Sequence, residues 1–209
     1  MNVRWLWGLA AIVAFVAFEF LGRALGQHPD PGSIFFVEMQ WVNHATLVAQ
    51  FFTLLGRVYV LVPICLVLVV IAICSREWRG PIVFTILATL LAWQGADYFQ
   101  HAFARPRRLD WIVTHETSFS YPSSHAAIAV AFYLLWSVLL ARSALAGRAV
   151  LAFLLAIIGF GIMWSRLALG AHYLTDLIGG ALWGVAVVAV LAAALPINVF
   201  QGPARPSLE

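Results

Sequence analysis

Six apolar runs divide the chain, at residues 5–21, 58–74, 81–96, 126–141, 149–164 and 177–195. Each approaches the roughly 20 residues that an α-helix needs to cross the hydrocarbon core of a bilayer. The first run holds one ionisable residue, Glu19, between Arg4 and Arg23. A secretory leader is the rival reading, with Arg4 as its basic start and Ala24-Leu25-Gly26 as a small-residue cleavage site. The run is longer than a usual leader core, so it reads as a first membrane helix with Glu19 at the interface. A turn-rich break follows at residues 27–32. Beyond it Ile34, Val37, Trp41, Ala45, Val48, Phe52 and Leu55 recur at three- and four-residue spacing, while Glu38, Asn43, His44, Gln50 and Thr53 take other faces. That spacing predicts an amphipathic helix, lying in the membrane interface or packed on the bundle and running on into the second span.

The second run contains Pro63, which membrane helices tolerate as a kink. Arg76, Glu77 and Arg79 predict a short polar turn before the third, and a long polar loop follows from Asp97 to Pro122. In the sixth run Gly179, Gly180 and Gly184 allow close helix contact. The tail from Gln201 to Glu209 reads as unstructured. The pattern predicts an all-α, polytopic membrane protein of six transmembrane helices plus an amphipathic interfacial helix, in one domain over residues 1–209.

Composition agrees with the pattern: 63% of residues are hydrophobic and 10% charged, outside the range of soluble globular chains. The 12 basic residues are all arginine and cluster at segment ends, so the charge excess is no nucleic-acid surface. Cys65 and Cys74 share one apolar run, too far apart along a helix to bridge. With six spans, the loops at residues 105–125 and 165–172 share a side. Arginine bias is a tie, six to a side, until the arginines of the candidate site are set aside as functional. Both termini are then cytoplasmic, and the polar loops face the periplasm or the exterior.

The candidate chemistry lies at the mouths of these runs. Ser165 to Asp176 reads S-R-L-A-L-G-A-H-Y-L-T-D, between two apolar segments. Ionisable groups so placed cost free energy. If helix begins at Tyr173, His172 and Asp176 share a face, and the carboxylate orients the imidazole through one nitrogen while the other stays free. Arg166 returns across the Gly170 turn as an oxyanion clamp. Taken singly, each residue has the ordinary role of an interfacial side chain; together they point to function. Pro122-Ser123-Ser124-His125 opens the fourth run with a helix cap, whose free N–H groups form an anion site.

At these residues the chain resembles the type 2 phosphatidic acid phosphatase family. Ser165-Arg166, five residues, His172, three residues, Asp176 is similar to the family's third signature, and Pro122-Ser123-Ser124-His125 to its second, usually Pro-Ser-Gly-His. The first signature, Lys followed by Arg-Pro, is similar to Gln100 through Arg107-Arg108, with Gln100 replacing Lys and Arg108 replacing Pro. An alternative register puts Arg105-Pro106 in the Arg-Pro slot and Tyr98 in the Lys slot.

The resemblance implies metal-independent hydrolysis of lipid phosphates or pyrophosphates at the outer membrane boundary, with no cofactor. It implies His172 as the nucleophile, Asp176 as its orienting carboxylate and His125 as the general acid. Arg107, Arg166, Ser123 and the Ser124 N–H would hold phosphoryl oxygens, with Gln100 donating a neutral hydrogen bond in place of the lysine; Arg108 and Arg105 are the nearest cations in sequence to compensate for the missing charge. Its implied partners are a lipid phosphate and the bilayer. Rival readings are a lipid-to-lipid phosphotransferase using the same site, and a non-catalytic lipid-phosphate binder or transporter. No metal-ligand set is evident, and His101 and His115 read as loop residues.

Overall fold

The computed structural model describes residues 4–25, 42–107 and 116–195, and every regular element among them is helical. In chain order these are α1 (Arg4–Leu25), α2 (Val42–Leu55), α3 (Val58–Cys74), α4 (Arg76–Phe103), α5 (Ser124–Arg142), α6 (Arg148–Ala168) and α7 (Leu174–Ala194). A π-helical stretch, Ala129–Leu134, interrupts α5. Among the described residues five helices are long and apolar enough to cross a membrane, and a sixth span arises when Thr46–Leu55 and Val58–Cys74, bent by 46°, are taken as one. The chain is a multi-pass membrane protein.

The bend between α2 and α3 falls at Gly56, where an added Cβ would lie 2.8 Å from the His125 ring and 3.0 Å from Ile162. The chain turns there because no side chain is in the way. It turns so that α2 lies along α6: the Thr53 and Ser165 hydroxyls meet at 2.7 Å, and Phe52 fills the space left by Gly161. Of the two placements expected for the amphipathic helix, the described part takes the second, packed on the bundle and leading into the second span. Residues 34–41 of that pattern lie outside the described residues.

Helix α4 is longer at both ends than the apolar run predicts. Arg76 and Glu77 are helical rather than a turn, and Arg79 bonds back to the Ala72 carbonyl at the end of α3, 3.1 Å away. At the other end Asp97 to His101, expected in a loop, are also helical. The Asp97 and His101 side chains stay exposed there while Ala96 and Gln100 face inward. The helix stops at Ala104, which takes a left-handed conformation (φ 49°) just before Arg105-Pro106.

Small residues set the spacing of the bundle. Ala88, Ala92 and Ala96 on α4 are fully buried, and Trp183 of α7 lies over Gly95, its indole N–H donating to the Ala92 carbonyl at 3.0 Å. Helices α1 and α7 pair along their lengths. At one end of that pair Arg4 donates to the Ala193 and Ala194 carbonyls, 2.9 and 2.8 Å, closing the free carbonyls of α7. At the opposite end, the start of α7, lie the candidate chemical groups. The tail expected to be unstructured is outside the described residues.

Candidate active site

The start of α7 is held by a carboxylate. Asp176, on the first turn, accepts the Tyr173 backbone N–H at 2.8 Å and so satisfies a donor that the helix leaves free. Helix begins at Leu174 with Tyr173 as its cap, so His172 precedes the helix instead of riding on its face. The imidazole still reaches Asp176, with Nδ1 3.4 Å from Oδ2. The same carboxylate takes a hydrogen bond from the Ser120 hydroxyl and a 2.6 Å ion pair from Arg105, which also donates to the Thr175 hydroxyl and lies over the Tyr173 ring. Arg105 and Asp176 are both almost completely buried, a geometry that is stable only because each charge is paired.

The other side of His172 faces Arg107. One guanidinium nitrogen of Arg107 lies 3.1 Å from His172 Nε2 and 3.0 Å from the Ala171 carbonyl. A guanidinium only donates. Nε2 must therefore carry the lone pair and Nδ1 the proton, which points at Asp176. Burial, then the positive charge of Arg107, lowers the imidazole pKa to about 4 against the opposing pull of Asp176, so His172 is neutral at physiological pH. Arg107 is itself braced by the Ser118 carbonyl and hydroxyl, 2.6 and 2.8 Å. Burial lowers its pKa to about 10, still charged at neutral pH.

Arg166, at the end of α6, is 2% exposed and donates to Glu116 at 2.7 Å. The same carboxylate meets Arg107 at 3.1 Å and Arg57, at the α2–α3 bend, at 3.9 Å. Burial by itself would raise the Glu116 carboxyl, but Arg166, Arg107 and His172 hold it below its usual value. Three arginines from three parts of the chain thus face one carboxylate. Among the described residues, Arg166 Nε and His125 Nε2 are buried without a hydrogen-bond partner.

His125 enters from the second residue of α5, and the charged groups acting on it are the guanidiniums of Arg166, Arg57 and Arg107. Ser123 caps this helix, its hydroxyl 3.4 Å from the Ala126 N–H. Its own N–H donates to the Asp176 carbonyl at 3.0 Å, which ties the start of α5 to the start of α7. That tie needs Gly180, where a Cβ would fall 2.3 Å from the Ser123 carbonyl oxygen.

The structure therefore brings together His172, Asp176, His125, Arg107, Arg166 and the Ser123-Ser124 helix start. Gln100 is placed differently from the expectation: it is buried and donates to the Pro122 carbonyl at 2.9 Å, so it holds the lead-in to α5 rather than facing the arginine cluster. Arg108 lies outside the described residues. Ser120, Arg57 and Glu116 complete the site without having been singled out as its parts, and Arg105, placed in the motif only by the alternative register, pairs with Asp176; the bonds from Arg105 and Ser120 to Asp176 and from Glu116 to Arg166 and Arg57 span 50 or more positions, beyond the reach of any local pattern.

A family model for the PAP2 superfamily matches residues 81–199, more than half of the chain. The chain belongs to the PAP2 superfamily. Among solved structures, it is similar to one described as the first transmembrane PAP2 type phosphatidylglycerolphosphate phosphatase, from Bacillus subtilis. The identity is 20% and the TM-score 0.70, over 87% of this chain and 93% of that one. A search of curated protein sequences finds no significant match. The matched superfamily segment opens within α4 and takes in both histidines, Asp176, Arg107 and Arg166, so membership covers the whole of the cluster apart from the α2–α3 bend.

Proposed function

We propose that this protein is a metal-independent phosphatase that hydrolyses membrane lipid phosphates or pyrophosphates through a phosphohistidine. Membership of the superfamily supports phosphoric ester hydrolysis, and the membrane-spanning helices support a lipid substrate. The observation that carries the mechanism is the hydrogen bonding of His172, with Nδ1 turned to Asp176 and the Nε2 lone pair turned to a guanidinium. An imidazole held in that tautomer is a ready nucleophile.

In the reaction, His172 Nε2 attacks phosphorus as the bond to the lipid oxygen breaks. That oxygen takes its proton from His125, and the phosphoryl group stays on Nε2. Arg107 and Arg166, with the Ser123 hydroxyl and the Ser124 N–H at the α5 start, hold the equatorial oxygens, where charge spreads in the transition state. Water, deprotonated by His125, then attacks phosphorus and releases phosphate, restoring both histidines. The separate partners of Arg105 and Arg107 support the register that gives Arg107 the phosphate. Arg105 is committed to Asp176, and Gln100 supports Pro122. The site faces the periplasm or exterior in this reading, with both termini cytoplasmic.

The test is phosphate release from a panel of detergent-solubilised lipid phosphates, with and without a chelator. Wild type should turn over at least one member in either condition and should yield an acid-labile phosphoenzyme on rapid quench. His172→Ala should abolish both while the thermal midpoint stays measurable; turnover surviving in that variant overturns the assignment. A two-lipid assay separates the phosphotransferase reading, which yields a phosphorylated second lipid in place of free phosphate.

A further inference from the structure

The arginine cluster is already occupied by an anion of the protein's own. Glu116 Oε1 lies 2.7 Å from Arg166, and Oε2 lies 3.1 Å from Arg107. These two guanidiniums are the ones that would hold the phosphoryl oxygens, and the geometry is that of a charge-assisted pair. A planar carboxylate has two oxygens to offer, and it leaves the buried Arg166 Nε and the buried His125 Nε2 without partners. A tetrahedral phosphoryl group presents a third equatorial oxygen and a leaving oxygen, the number needed to meet those two remaining groups. Glu116 is also more open to water than the two arginines it bridges, with a side chain 25% exposed against 2% for Arg166 and 8% for Arg107. It can swing out without unpacking a helix.

We propose that Glu116 sets the affinity threshold of the phosphate clamp, as a resident carboxylate that an incoming phosphate must displace from Arg166 and Arg107. This rests on the phosphatase reading of the site. Two anions cannot share the clamp, because a dianion beside the carboxylate is repelled at the distance where the arginines attract it. In the empty site Glu116 neutralises guanidiniums whose mutual repulsion would otherwise be uncompensated. On binding, its release subtracts from the affinity for every phosphate by the same amount. A terminal phosphate, dianionic and with three free oxygens, exceeds that threshold. A phosphodiester headgroup, with one charge and two free oxygens, does not, and phosphodiesters are the lipids that surround the enzyme in bulk. Product phosphate is also kept from lingering. Displacement of Glu116 frees Arg107 to turn from His172 Nε2 to the substrate, which uncovers the attacking lone pair.

The test compares wild type with Glu116→Gln, using short-chain phosphatidic acid as substrate, inorganic phosphate as inhibitor and short-chain phosphatidylglycerol as a phosphodiester probe. Loss of the competing charge should lower KM and the inhibition constant of inorganic phosphate together by about tenfold, equivalent to roughly 1.4 kcal/mol. Phosphatidylglycerol, without effect on wild type at matched concentration, should become an inhibitor. If Glu116 serves only to orient the arginines, both constants rise and phosphatidylglycerol stays inert, which overturns the proposal. Should Glu116→Gln fail to fold, Glu116→Asp keeps the charge but draws it back by one methylene; a smaller fall in both constants is then expected, and an unchanged or raised pair overturns the idea. Stabilisation of the protein by inorganic phosphate, followed by thermal shift, reads the anion site without turnover. A wild type that hydrolyses no lipid phosphate, yet gives a variant with stronger phosphate-induced stabilisation, refutes the phosphatase reading and leaves Glu116 as the competing anion. Normal turnover with weaker phosphate binding in the variant does the reverse.

Discussion

His172 gains its chemistry from what is arranged on its two nitrogens. The carboxylate on one side orients the proton, and the guanidinium on the other confines the lone pair, while burial keeps the ring neutral. This has a consequence for stability. The ring titrates near 6.5 in an unfolded chain and is lowered to about 4 in the folded one. Between those values the unfolded chain binds more protons, so stability falls as pH drops from 6.5 toward 4 and is fully present above that window. Over pH 8 to 5 this one group accounts for a loss of about 2 kcal/mol, because each pH unit crossed inside the window is worth about 1.36 kcal/mol. Thermal midpoints in detergent at pH 8 and pH 5 should show the drop in wild type and a smaller one in His172→Ala. An equal drop in both would place the imidazole elsewhere in its titration.

At the scale of elements, the site exists because α5 and α7 start within hydrogen-bond reach of each other. Ser123 N–H to the Asp176 carbonyl is the direct tie, and the absence of a side chain at Gly180 lets the two backbones approach. Gly180→Ala would set a methyl 2.3 Å from a backbone oxygen, which cannot rotate away. The expected cost is about 1–3 kcal/mol, in the range of overpacked cores, with kcat lowered as His125 moves relative to His172. Gly8→Ala in α1 is the control: an added Cβ there meets nothing within 4 Å, and the change should be neutral or slightly stabilising. Thermal midpoints and phosphate release for the two variants check both halves; equal behaviour would show that the α5–α7 approach does not position the histidines.

Across the whole molecule the described helices separate two ends. Arg4 and the last carbonyls of α7 meet at one, and the arginine cluster gathers at the other. The proposed orientation, with six spans and both termini inside, would put the cluster outside. In a protein lacking Cys65 and Cys74, a cysteine at Thr117, exposed beside the cluster, should react with a membrane-impermeant thiol reagent added to spheroplasts. One at Ala146, exposed in the turn between α5 and α6, should react only after lysis. The opposite pattern would turn the site toward the cytoplasm.

The apolar runs determined the membrane-spanning helices, because a backbone in lipid must satisfy its own hydrogen bonds and only a long apolar helix does so at this length, and amphipathic spacing determined α2. Local spacing likewise brought forward His172, Asp176 and Arg166, since ionisable residues between two such runs stand out. Helix ends were less legible: polar residues at Asp97 and His101 break the hydrophobic pattern without breaking the helix, whose exposed face accepts them. What tertiary structure alone decided is the pairing of charges. Arg105 and Arg107 are two positions apart in one arginine-rich stretch, and nothing local separates them. The fold gives Arg105 to Asp176 and Arg107 to His172 and Glu116, because buried charges must find partners in space, and Asp176 and His172 lie more than 60 positions further along the chain.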